Sequence, residues 1–347
     1  MRLLILTSDY PPGAWSGIAS AVEAQAKALV QAGAEVDVVV GNHATIRPRT
    51  GPRVHRLDPS SFPVDPRRFD RIHLHSLSLA GLAFELRRRY GLPVTYTAHS
   101  LLWRELDPGP EADRWIRLQR DVLRASNRVV LLSHSERQAA LRILPDAAER
   151  SVVIGNAVPD PPHTGRTRRR VGPIVFAGRF TVTKGIELLC ELLPRLLHRG
   201  SVRAVVAGGH GDTVGTRRIR QLRALPADRF RLAGWLPRPS LRRLLSGAAL
   251  VLMPSLYEPF GLIALEAMRA GTPVLASRVG GLAEMITPES GGCLACSRDT
   301  AEWEYRAARM IESPELWNAL HERGPAYVAE TFPMHRIAER LLREAYA

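Results

Sequence analysis

The stretch ALVLMPSLYEPFGLIALEAM, residues 249–268, contains a change of conformation from which the rest of the chain can be read. Its opening run, Ala249-Leu250-Val251-Leu252-Met253, is continuously apolar and of strand length, which predicts a parallel strand buried on both faces. Pro259 disfavours helical geometry at Glu258 and pushes that residue into an extended conformation. From Gly261 onwards, Leu262, Ile263, Leu265 and Met268 recur at helical spacing. The stretch is therefore a strand, a turn and a helix, with Glu258 outside the helix and Glu266 inside it.

That geometry has chemical consequences. In open α/β sheets, ligands bind where strands hand over to helices. The unpaired N–H groups and positive dipole end at Gly261 and Leu262 favour a phosphate there. Carboxylates beside a phosphate repel it, so Glu258 and Glu266 are expected to accept hydrogen bonds from sugar hydroxyls instead. A helix-start glutamate and a solvated one are the plainer alternative.

Apolar strand-length runs alternate with amphipathic helical stretches along most of the chain, the pattern of parallel sheets covered by helices. Strands are expected at 2–7, 35–40, 70–74, 93–97 and 128–132, with helices over 17–32, 77–90, 112–125 and 135–143. Residues 160–165, DPPHTG, and the arginines that follow have linker composition. The pattern then restarts, with strands near 173–178, 202–207, 229–232, 249–253 and 273–276. The 347 residues thus divide into domains at 1–165 and 166–330. A last amphipathic segment, 331–347, is expected to pack back on the first domain.

Apolar content of 45% and charged content of 24% are those of a globular protein, and no apolar run reaches membrane-spanning length. Leu3-Leu4-Ile5-Leu6 is too short for a signal-peptide core, so a cytoplasmic location is the default expectation. Cys293 and Cys296 form a single C-x-x-C without a second pair, which falls short of the four ligands of a structural zinc site. A net charge of +14, from 48 basic and 34 acidic residues, points to an anionic partner. The arginine clusters 87–89, 166–170, 217–223 and 238–243 come without a nucleic-acid motif, and aromatic content is only 6%. They read as solvated helix faces, leaving peripheral contact with an anionic membrane open.

Two cations, Arg179 and Lys184, lie in Gly178-Arg179-Phe180-Thr181-Val182-Thr183-Lys184-Gly185, at the carboxyl end of the second domain's first strand. Arg179 can fork two hydrogen bonds onto phosphate oxygens and Lys184 adds a point charge, so if the reaction expels a diphosphate both would stabilise the charge that grows in the transition state. Gly17 ends a loop, Ser8 to Gly17, that lacks G-x-G-x-x-G and so argues against a dinucleotide oxidoreductase. Gly209, in Gly208-Gly209-His210-Gly211, either admits a nucleotide closely or forms a tight turn. His99 follows a strand and so falls at the ligand edge. His73 and His75 are expected on opposite strand faces, which would disfavour shared metal ligation.

Together these segments resemble family 4 of the glycosyltransferases, retaining enzymes that use nucleotide-sugar donors. The resemblance runs through Asp70-x-x-His73-x-His75, Tyr96-Thr97-Ala98-His99, Gly178-Arg179…Lys184-Gly185, Gly234-x-Leu236, Glu258-Pro259-Phe260-Gly261-Leu262…Glu266 and Gly271-Thr272-Pro273-Val274. It implies the GT-B fold, two Rossmann-like βα domains facing each other across a cleft. It also implies a UDP or GDP sugar donor, no metal or other cofactor, and transfer of a hexose or N-acetylhexosamine to an acceptor hydroxyl. By the resemblance, Arg179 and Lys184 hold the diphosphate, with Gly261 and Leu262 amides near the donor. Glu258 contacts the donor sugar, Glu266 the ribose, and His99 lies by the transferred sugar, while Gly17 gives the substrates room. The acidic island Glu105, Asp107, Glu111 and Asp113 raises an aminosugar or aminocyclitol acceptor beside saccharides. A GT-B nucleotide-sugar epimerase, or a non-catalytic relative that binds anionic surfaces, is the alternative.

Overall fold

A computed structural model describes residues 1–12, 16–41, 51–58, 61–158, 171–199, 202–209 and 211–347. The chain forms two units, Met1–Pro159 with Phe332–Ala347, and Asp160–Thr331. Most of the expected linker, with Arg166 and Arg168–Arg170, lies outside the described residues, as does His210.

The first unit is a parallel sheet of β1 (Arg2–Thr7), β2 (Glu35–Val40), β3 (Arg53–Arg56), β4 (Arg71–Leu74), β5 (Val94–Ala98), β6 (Arg128–Leu131) and β7 (Ser151–Val153). Its order is β3-β2-β1-β4-β5-β6-β7. The helices are α1 (Gly17–Gln31), α2 (Ala80–Tyr90), α3 (Leu102–Glu105), α4 (Pro110–Ala125) and α5 (His134–Ile143). Both sheet faces are covered, which is why Leu3, Leu4, Ile5 and Leu6 are all fully buried despite their alternating direction. Leu4 and Leu6 join one core cluster, and Leu3 and Ile5 the other.

The second unit holds β8 (Ile174–Arg179), β9 (Ala204–Gly209), β10 (Phe230–Gly234), β11 (Leu250–Met253), β12 (Val274–Ser277) and β13 (Gly292–Ala295). They are ordered β10-β9-β8-β11-β12-β13, all neighbours parallel. The helices are α6 (Ile186–Leu197), α7 (Thr213–Gln221), α8 (Arg238–Ser246), α9 (Leu262–Arg269), α10 (Gly280–Met285), α11 (Thr300–Glu312) and α12 (Pro314–Thr331). In each sheet the strand order reverses once, at β1/β4 and at β8/β11. These reversals part the crossing helices and open a crevice beyond the strand ends, where α/β sheets hold ligands.

The chain's last helix, α13 (Met334–Arg340), with its continuation Leu341–Ala345, belongs to the first unit. Ile337, Ala338, Leu341, Ala345 and Tyr346 are buried with Val22, Ala26 and Leu29 of α1. Arg71 donates to the Tyr346 carbonyl at 2.9 Å, and Thr95 to that of Ala345 at 2.9 Å.

One expectation is corrected. His73 and His75 are two residues apart, and strand side chains repeat with period two, so they share a face. Their ring centroids lie 4.1 Å apart.

Candidate active site

In the second unit the loops after β8 and β11 meet at the order reversal, and glycines let them touch. Gly185 sits at φ 71°, and a Cβ there would overlap the carbonyl of Pro254. The Leu256 and Tyr257 amides donate to the Thr183 carbonyl at 2.8 and 3.1 Å. A Cβ on Gly280, at φ 46°, would likewise overlap the Glu258 carbonyl, which accepts from the Gly281 amide at 2.9 Å. The Glu258 turn is thereby clamped between the Lys184 loop and α10.

The clamp brings Lys184 Nζ to 2.8 Å from Glu258 Oε2, which Ser255 Oγ also approaches at 3.5 Å. Both side chains are largely buried, 20% and 11% exposed, so the pair is screened less than a surface ion pair. Burial lowers the Arg179 guanidinium from its ordinary value, opposed by the carboxylates of Glu258 and Asp212. Asp212 is itself held as the cap of α7, accepting from the Gly215 amide at 2.6 Å and the Val182 amide at 2.8 Å. The crevice edge therefore gathers Arg179, Lys184 and Glu258, residues the sequence spaces over 80 positions. An anion arriving there would meet two cations and could release Glu258 to neutral hydroxyls.

Gly261, at φ 104°, begins α9, and a Cβ there would lie 2.7 Å from Leu282. The α9 amides at Leu262 and Ile263 follow, in the first turn of the helix, where no side chain among the described residues caps them. Glu266, one turn on, is buried and bound by Arg238 of α8 through both carboxylate oxygens, Nη1 lying 3.3 Å from Oε2. Arg238 is thus no solvated helix-face residue, and its role was invisible in a cluster of like arginines. The carboxylate keeps further lone pairs for hydroxyls. Gly209 ends β9 against the indole of Trp235, 2.7 Å from where a Cβ would stand. Trp235 is an exposed aromatic that composition did not single out.

In the first unit Gly17 opens α1, capped by Ser16, which accepts from the Ala19 amide at 3.0 Å and donates to Asp9 at 3.0 Å. Ser76, after β4, accepts from the Ser8 amide at 2.8 Å, closing the β1/β4 reversal. Among the described residues a Cβ on Gly17 would meet nothing within 4 Å, and its φ is ordinary, so their packing does not require the glycine. His99, after β5, meets His75, after β4, with Nε2 3.0 Å from His75 Nδ1. His73 lies below, between Thr97 Oγ1 at 2.7 Å and the buried Tyr346 hydroxyl at 2.6 Å. Burial pushes His99 down to about 4 and His73 to about 3, so these imidazoles are neutral. In the acidic island Glu105 is bound by the Ser100 hydroxyl, while Asp107, Glu111 and Asp113 are exposed.

Residues 16–157 match the family described as glycosyl transferase 4-like domain, and residues 172–313 match glycosyl transferases group 1. The alpha-maltose-1-phosphate synthase of Mycolicibacterium smegmatis is 28% identical over 389 aligned residues, covering 99% of this chain and 98% of that protein. The D-inositol 3-phosphate glycosyltransferase of Frankia alni is 28% identical, over 80% of this chain and 74% of its own length. Among solved structures, Anabaena HepE in complex with UDP and glucose superposes with a TM-score of 0.74 at 18% identity, over 99% of this chain and 98% of that one.

Proposed function

Because the chain belongs to the glycosyltransferases of GT-B fold, with a glycosyl transferase 4-like domain followed by a group 1 domain, we propose that it is a retaining, metal-independent hexosyltransferase. It moves a hexose or N-acetylhexosamine from a UDP or GDP sugar to an acceptor hydroxyl. The observation that carries this reading is the Arg179, Lys184 and Glu258 cluster at the β8/β11 reversal.

Arg179 and Lys184 take the diphosphate, whose charge grows as the bond to the anomeric carbon breaks. The amides of Gly261 and Leu262, at the start of α9, add dipolar stabilisation. Glu258 accepts from donor-sugar hydroxyls and Glu266, oriented by Arg238, from the ribose. Gly209 leaves room for the Trp235 indole, which offers the base an aromatic face. His99 addresses the transferred sugar, and Gly17 leaves space for substrate. The acceptor oxygen bonds to the anomeric carbon on the face the diphosphate leaves, and its proton passes to a diphosphate oxygen. Configuration is retained and no carboxylate base is required.

HepE holds UDP and glucose, which supports a UDP sugar as donor. The Frankia relative is named for a cyclitol phosphate, which supports a cyclitol among the acceptors beside saccharides. No helix among the described residues is long and apolar enough to cross a membrane. A cytoplasmic reaction is part of this proposal, with any membrane contact peripheral and through arginines.

A mass-spectrometric screen of UDP and GDP sugars against saccharide and cyclitol acceptors, in EDTA, tests the reading. Product with the donor's anomeric configuration is expected. An inverted anomer, a requirement for added metal, or donor converted without any acceptor, as an epimerase would do, overturns it.

A further inference from the structure

His75 is buried, and among the described residues only one of its ring nitrogens has a partner. Nδ1 lies 3.0 Å from His99 Nε2, while Nε2 has none. The ring is fixed from below, where His73 packs at 4.1 Å between centroids and is itself held by Thr97 and Tyr346. His99 is partly exposed, and no described residue pairs with its Nδ1.

A neutral imidazole carries one N–H, so the 3.0 Å contact contains a single proton with two placements. If His99 Nε2 carries it, His75 Nδ1 is the acceptor and its remaining proton sits on Nε2, a buried donor without an acceptor. If His75 Nδ1 carries it, His75 Nε2 is a bare lone pair, and His99 carries its own proton on Nδ1. In backbones, buried N–H groups without partners are rarer than undersatisfied carbonyls; by the same asymmetry a buried ring N–H aimed at no acceptor is worse than a bare ring lone pair, which favours the second placement. Burial keeps both rings from taking a further proton, since the imidazolium would be desolvated.

We infer that His75 is a positioning residue that locks His99 as its Nδ1–H tautomer, so that His99 presents a hydrogen-bond donor to a substrate oxygen. The substrate part rests on the proposed transferase reading, whereas the tautomer does not. The partner of His99 Nδ1 is then an acceptor, such as a sugar hydroxyl oxygen, and a group that can only donate is refused there.

The test uses the full chain labelled with ¹⁵N-histidine. Two-bond ¹⁵N–¹H spectra without substrate are expected to show His99 and His75 both protonated at Nδ1. His99 in the Nε2–H form overturns the inference. His75→Asn places an amide N–H near the position of Nδ1 and should keep the His99 tautomer, whereas His75→Leu removes the donor. The expected loss in kcat/KM for His75→Leu is about tenfold, the worth of one hydrogen bond. His75→Asn should recover most of it. Equal losses in the two variants, at matched melting temperatures, also overturn the inference. Because the tautomer is read without substrate, a protein that shows the Nδ1–H form yet transfers no sugar would discredit the transferase reading instead.

Discussion

Lys184 and Glu258 hold each other's charge, so neither can be changed alone without stranding a largely buried ion. Lys184→Ala is expected to lower stability by about 3 kcal/mol and kcat by about a hundredfold or more, as it also removes a charge from the departing diphosphate. The double variant with Glu258→Gln should recover much of the stability in thermal melts but none of the rate. Recovery of both would assign the pair to folding alone. Both residues were legible in the sequence because each sits beside punctuation, Gly185 for one and Pro259 for the other. Their contact was not, since 74 residues separate them. Arg238 was hidden for another reason: a row of arginines on a short helix carries no mark of which one faces inward.

At the scale of elements, the loop after β8 is shaped by Gly185. It combines a left-handed backbone with a carbonyl contact that no side chain can share. Gly33, beyond α1, has φ 87° but open space around it, so the two glycines separate backbone strain from steric overlap. Gly33→Ala should cost about 1 kcal/mol, whereas Gly185→Ala should cost about 3 kcal/mol or more and displace Lys184. Denaturant midpoints of the two variants check this, and equal losses would mean that the Pro254 contact yields easily. The strands legible in the sequence are the continuous apolar ones. β3 (RVHR) and β13 (GCLA) are not legible there because they are short and mixed with polar or small residues. Neighbouring strands supply the pairing that their own sequence does not demand.

For the molecule as a whole, the buried histidine column ties stability to pH. An unfolded histidine takes up a proton as pH falls through about 6.5, but burial holds folded His73 neutral down to about 3 and depresses His75 in the same direction. The unfolded state then binds more protons, so this contribution is complete above pH 6.5 and is lost as pH falls below it. Between pH 7 and 5.5, above the carboxylate range, the loss is about 1 kcal/mol for each buried imidazole. Urea unfolding across that window should show the decline, with a shallower slope in His73→Gln; a flat profile would mean that the imidazoles are already charged when folded. The alternation of apolar runs and amphipathic helices determined two parallel α/β domains, and the glycine and proline punctuation marked their ligand edges, because periodicity and backbone restriction are local properties. Only the tertiary structure decided that Arg238 holds Glu266, that His75 meets His99, and that Tyr346, the penultimate residue, reaches His73. Those contacts join residues far apart in sequence, and strand order and burial, which no local pattern encodes, bring them together.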